Sequence, residues 1–310
     1  MMLVILINRC SIVCTSKVVS IISISSPFFY LIFSALLHAL WNTFPKRTSE
    51  PQSVVSGILL VASVLSLLFS VAVSWWQLPP FVGAPFPNQI ATWWTLSSGL
   101  WEAGYFITLG LALRQAPVGL AYIVMRGGAM LLVYAVSASF FGEEFTGLTL
   151  LGILIALGGL FLSSRSTSTT PAGSAPRRLG WSYACAVCIA GYHLCYRQAL
   201  AHEANPSWLF SLSLILAIPI MLAVQGREQR LLLKGVLRQH WQLIIIGGAV
   251  CLISFLLYLL GLKTSGAGYA LVIRNLSIIF AQFFAFFIGE KISLQQWIGA
   301  VLVAIGASLV

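Results

Sequence analysis

The sequence predicts an all-α membrane protein with ten transmembrane helices in two inverted five-helix repeats. Three observations carry that reading. Of 310 residues, 59% are hydrophobic and only 8% charged, and the mean hydropathy is +0.96, whereas soluble domains carry about 25% charged residues. Apolar windows long enough to cross about 30 Å of hydrocarbon recur from one end of the chain to the other. Motifs of the first half return in the second, and each half holds an odd number of windows.

The windows are 27–45, 53–76, 91–113, 118–141 and 147–163, then 180–196, 207–225, 241–262, 267–289 and 293–310. Residues 1–26 precede them. Arg9 and Lys17 interrupt this segment and no small-residue cleavage site follows, so it reads as an N-terminal extension outside the fold rather than a signal peptide. Between the halves, 164–179 is rich in Ser, Thr and Pro and carries Arg165, Arg177 and Arg178, the composition of a flexible linker loop. It separates a first repeat, 27–163, from a second, 180–310.

Gly142-Glu143 recurs as Gly289-Glu290, Thr146 as Ser293, and Gly152 and Gly159 as Gly299 and Gly306, all at one offset. Small shifts in register then pair Arg126 with Arg274 and Arg114 with Lys263. Five windows per copy make the second copy enter the membrane from the opposite face. In that arrangement the binding site lies at the repeat interface near the midplane. Each Gly ends a helix, and each Thr or Ser begins the next. The small residues of windows 5 and 10 favour close helix packing, either within the chain or across a homodimer.

The net charge is +10, from 17 Lys and Arg against 7 acidic residues, all of them Glu. In a soluble chain that balance would suggest nucleic acid. Here most basic residues sit in short loops, where they orient helices and meet anionic headgroups, so the expected partner is the lipid bilayer and not nucleic acid. Loops after windows 1, 3, 5 and 7 hold ten of them, which predicts those loops to be cytoplasmic and both termini outside. The lack of Asp removes the Ser/His/Asp triad and most two-carboxylate catalysis, so no catalytic residue is assigned. Cys185 and Cys188 form a CxxC inside an apolar window, where thiols behave as small hydrophobes. No metal site and no cofactor are expected.

Three charged side chains remain inside the windows: Glu102, Arg126 and Arg274. Each costs at least ~2.5 kcal/mol at a bilayer centre, which makes each a candidate for function. Arg126 lies about 15 Å past the turn near Ala116, and Arg274 about 13.5 Å past the turn near Ser265, so both approach the midplane from opposite faces. Two guanidiniums at matched depth repel unless an anion or a buried carboxylate intervenes. Glu102 is the carboxylate within reach. It either pairs with Arg126, leaving Arg274 to meet substrate, or carries a coupling proton.

Window 1 ends in His38-Ala-Leu-Trp41-Asn42 and window 6 in His193-Leu-Cys-Tyr196-Arg197. Positions i, i+3 and i+4 share a helical face, so His38, Trp41 and Asn42 are expected to line one wall of a substrate cavity. His38 and His193 are candidate proton acceptors. Tyr105 and Tyr122 share the faces of Glu102 and Arg126 and join the substrate-binding set. No GxxxxGK[ST] motif occurs, so active transport would draw on a gradient or a partner.

Taken together, Ala-Leu-Leu-His38-Ala-Leu-Trp-Asn, Ala121-Tyr-Ile-Val-Met-Arg126-Gly-Gly and the duplicated Gly-Glu resemble the EamA-like branch of the drug/metabolite transporter superfamily, across residues 27–310. The resemblance implies a ten-helix permease with a central cavity and alternating access, often an exporter of small metabolites. It also implies cytoplasmic termini, opposite to the charge count. Arg126 and Arg274 match arginines of one subset of the family. Met130 stands where a proline often follows the first arginine, which removes the reason for a kink there. Asn275 stands where an acid often follows the second, which weakens proton coupling at that point. The expectation is a secondary transporter in the bacterial inner (plasma) membrane, exporting or exchanging a small organic anion, amino acid or similar metabolite. A flippase for a phosphate-headed lipid and a non-transporting membrane assembly protein are the alternatives.

Overall fold

The computed structural model describes residues 27–45, 48–115, 121, 123–142, 146–165, 179–287 and 292–309, and every regular element among them is helical. The N-terminal segment 1–26, Tyr122, Glu143, Gly289-Glu290 and nearly all of the segment 164–179 lie outside the described residues. The first half comprises α1 (residues 27–43), α2 (Pro51–Trp75), α3 (Gln89–Gln115), a π-helical turn (Ile123–Gly127) continued by α4 (Gly128–Phe140), and α5 (Gly147–Arg165). The second comprises α6 (Gly180–Ala201), α7 (Pro206–Val224), α8 (Arg227–Gln239), α9 (Trp241–Thr264), α10 (Ala267–Asn275), α11 (Ser277–Phe287) and α12 (Leu294–Ser308).

Helix ends follow local chemistry. Pro51 and Pro206 sit in the first turns of α2 and α7, where a missing N–H costs nothing. Asn205 caps α7 by accepting from the Ser207 N–H at 3.1 Å. Ser293 and Gln296 form a reciprocal capping box at α12. Thr146 Oγ1 accepts from the Thr149 N–H at 3.1 Å and opens α5. Gly142, at φ +68°, closes α4 in the left-handed region that glycine tolerates.

Among the described residues, α2, α7, α9 and the run Ala267–Phe284 are long and apolar enough to cross a membrane; Val124–Phe140, Gly147–Ser163 and Leu294–Ser308 are shorter apolar helices. Helices satisfy every interior backbone group within one segment, which hydrocarbon demands. Large apolar side chains such as Leu68, Val71, Phe161, Ile246, Phe286 and Ile298 are exposed on outer faces. The segment between windows 7 and 8 is a helix rather than a plain loop: α8 buries Leu233 and Val236 and exposes Arg227, Arg230, Lys234 and Arg238. That division suits a helix lying at a membrane surface.

Two packing contacts organise the site. α5 and α12 approach through their glycines: a Cβ on Gly159 would stand 2.5 Å from the Gly299 carbonyl oxygen, and one on Gly306 would stand 2.5 Å from that of Gly152. The small residues of windows 5 and 10 therefore serve an intramolecular contact. α1 and α9 are joined by a reciprocal pair, Ser34 Oγ donating to the Ser254 carbonyl at 2.7 Å and Ser254 Oγ to the Ser34 carbonyl at 2.9 Å. α3 packs on α6 and α7, and α2 on α7 and α9.

Candidate functional site

His38 on α1 stands between the two arginines. Arg126 Nη2 lies 3.3 Å from His38 Nε2, and Arg274 Nη2 lies 3.2 Å from His38 Nδ1. Ser34, one helical turn before His38 on the same face, accepts from Arg274 Nη1 at 3.1 Å. The guanidinium of Arg274 also lies 4.4 Å from the Phe255 ring centre and 4.3 Å from that of Tyr258, both on α9. Arg274 is only 1% exposed. Hydroxyl, imidazole and aromatic faces replace its hydration, together with the negative end of α10, whose last turn it occupies.

Both arginines occupy helix irregularities. Arg126 belongs to the π-helical turn, and Arg274 precedes the break between α10 and α11 at Leu276. The backbone is thus distorted beside Arg126 although Met130, not a proline, follows it. Asn275 meets that same Met130, its Nδ2 lying 3.6 Å from the sulfur, while its Oδ1 is buried without a partner.

Donors outnumber acceptors in this cluster. A neutral imidazole offers one lone pair and one N–H, so only one of the two guanidinium contacts is a hydrogen bond in either tautomer. The other sets N–H against N–H. Among the described residues neither arginine pairs with a carboxylate. Two positive charges across an imidazole, ~8 Å apart, repel by ~2 kcal/mol at an effective dielectric of ~20. An anion placed between them would remove both the repulsion and the mismatch.

Glu102 is buried elsewhere. Its Oε2 accepts from Ser213 Oγ of α7 at 2.5 Å, and Ser213 Oγ in turn accepts from the Tyr196 hydroxyl at 3.3 Å. The pairing of Glu102 with Arg126 that the sequence allowed is not made. His193 is fully buried; its Nδ1 meets the Tyr258 hydroxyl at 2.5 Å and its Nε2 has no partner. Since Tyr258 also lies against Arg274, His193 joins the edge of the arginine cluster through that phenol.

The remaining expected residues divide. Trp41 is buried edge-on against His38, ring centres 5.4 Å apart, with its Nε1 unpartnered. Asn42 is exposed, and its Nδ2 donates to the His38 carbonyl at 2.6 Å, so it turns back onto its own helix instead of lining the His38 wall. Tyr105 is half-buried against Tyr192, 5.7 Å between ring centres. Ser34, Ser213, Phe255 and Tyr258 belong to the site without having been singled out. The thiols of Cys185, Cys188, Cys195 and Cys251 are free. A separate cavity of about 300 Å³ opens between α2, α3 and α7, lined by Gln52, Val55, Phe106, Gly110, Met221 and Gln225 among others.

The model of the EamA-like transporter family matches residues 179–310, the part of the chain that supplies Arg274, Tyr258, His193 and Ser213. Those residues belong to the EamA-like transporter family. With the long apolar helices, this match makes the chain an integral membrane protein. No curated protein matches it. A protein of known crystal structure superposes with a TM-score of 0.68 over 93% of this chain and 96% of its own, at 17% identity. At that identity the likeness concerns the fold alone. The matched segment provides Arg274, the Phe255 and Tyr258 rings against it and His193 behind Tyr258, while α1 provides Ser34 and His38.

Proposed function

We propose that the chain is a secondary transporter of ten spans in two inverted five-helix repeats, which exports or exchanges a small organic anion or zwitterion by alternating access. The observation that carries this reading is the Arg126–His38–Arg274 cluster, two guanidiniums on one imidazole with no carboxylate among the described residues. Charge-assisted bonds from a guanidinium fork to a carboxylate or phosphate are strong where water is excluded. The placement of both arginines at helix irregularities supports it, because broken helices at the midplane are where transporters of this architecture hold substrate. The matched positions of Gly152, Gly159, Gly299 and Gly306 along the α5–α12 contact support the two-repeat arrangement.

Glu102 takes the coupling role in this reading. It is 1% exposed and bonded to neutral partners, so it can gain or lose a proton without breaking an ion pair. The test is anion-dependent thermal stabilisation and transport in liposomes, across a panel of carboxylates, amino acids and phosphate esters. Arg126→Gln and Arg274→Gln should each weaken the active anion's binding at least tenfold. Unchanged affinity in both variants would overturn the reading. Glu102→Gln should keep anion exchange and lose gradient-driven uptake.

A further inference from the structure

The cavity between α2, α3 and α7 lines up with Glu102. On α3, Glu102, Phe106 and Gly110 are spaced by four and share one face. On α7, Ser213, Ala217 and Met221 form the matching row, which Gln225 extends at the helix end. Ser213 holds Glu102, and Phe106, Gly110, Met221 and Gln225 line the cavity. The two helical rows that meet at the Glu102–Ser213 bond therefore continue as two of its walls, and α2 supplies the third through Gln52, Val55 and Leu59.

The rim is polar and the floor apolar. Gln52 is exposed beside Pro51, and Gln225 donates to Ser56 Oγ at 3.1 Å while its own Oε1 is unpartnered. Gln229, at the start of α8, donates to Ser53 Oγ at 2.8 Å on the same rim. Deeper in, Leu59, Phe106, Leu109 and Met221 offer no oxygen. From Phe106 to Glu102 is one helical turn, about 6 Å. On α7 the level between Ser213 and Met221 is held by Ala217, buried and small.

We propose that this cavity is the aqueous entrance to Glu102, with Phe106 as its gate. A hydronium ion arriving from the face that carries α8 gives its proton to the carboxylate, leaving a water molecule in the cavity and a neutral carboxylic acid on α3. The apolar floor selects the proton over a metal cation, which needs several oxygen ligands to shed its water. Of the helices packed on α3, α6 carries the titratable groups Tyr183, Cys185, Cys188, Tyr192, His193, Cys195, Tyr196 and Arg197, and α7 carries none. Tyr192, His193 and Tyr196 of α6 are buried. The proposal rests on Glu102 being the coupling carboxylate.

The experiment labels carboxylates of the full chain in liposomes with a water-soluble carbodiimide and an amine, and reads Glu102 by mass spectrometry. Glu102 should be labelled from the α8 face. Gly110→Trp and Val55→Trp, on opposite walls, should each lower that labelling at least tenfold with exposed Glu228 labelled as before. A tenfold fall in either variant that keeps its thermal stability supports the route. Undiminished labelling in both, or a Glu102 never labelled while Glu228 is, overturns it. Gradient-driven transport by Glu102→Gln decides the coupling role separately, since the labelling reads the route alone.

Discussion

His38 has one lone pair and two arginines placed to use it. Replacing it with leucine strands both guanidiniums, and a buried donor without an acceptor costs ~1–3 kcal/mol. His38→Leu should therefore lower Tm in detergent, and a saturating anion should raise that Tm by more than it raises the Tm of the unmodified chain. His38→Gln, which keeps an acceptor oxygen, should fall between the two. Thermal melts with and without the active anion check this. Arg126 and Arg274 were legible in the sequence because a charge in an apolar window is costly and conspicuous. Ser34, Phe255 and Tyr258 were not, since hydroxyl and aromatic residues are ordinary in such windows and nothing in their spacing shows which of them meet Arg274. Asn42 misled because a shared helical face fixes direction only roughly, and its short amide finds the His38 carbonyl first.

At the level of helices, the α5–α12 seam gives two predictions of opposite sign. A branched side chain at Gly159 meets the backbone of α12, so Gly159→Val should destabilise the fold by ~1–3 kcal/mol or prevent its assembly. Gly158, one residue earlier, has nothing within 4 Å of an added Cβ. Gly158→Ala should leave the fold intact or stabilise it by ~0.5–1 kcal/mol, by removing helix-disfavouring glycine. Size-exclusion profiles and thermal midpoints of the two variants separate these outcomes. The caps at Thr146 and Ser293 were readable from residue type and position. The π-helical turn at Arg126 was not, because without proline nothing at Ile123–Gly127 marks the extra residue that the turn absorbs. The amphipathic character of α8 was present in its sequence but was overshadowed by its charge, which read as a loop.

Over the whole molecule, the distribution of charge sets orientation. α8 exposes Arg227, Arg230, Lys234 and Arg238 on one face of the protein, and the loop from Gln77 to Asn88 that meets Asn205 and His202 carries no charge. The positive-inside tendency predicts α8 on the cytoplasmic side. A cysteine at Gly83 should react with a membrane-impermeant thiol reagent added to intact cells, and one at Arg230 should react only after the cells are opened. The reverse pattern would put both termini inside. Class and apolar windows were plain from composition and hydropathy, since hydrocarbon imposes both. How the two halves lean on each other was not, because it depends on contacts such as those of α3 with α6.

The paired hydroxyls of Ser34 and Ser254 rivet one helix of each half together near the arginine cluster. If the halves rock, stripping this rivet forfeits two hydrogen bonds, ~1–3 kcal/mol in all, whereas pivoting about it costs neither. The axis of rocking then passes through Ser34, which also holds Arg274. A cargo gripped there would sit at the still point of the machine, barely displaced while the walls on either side take turns to part.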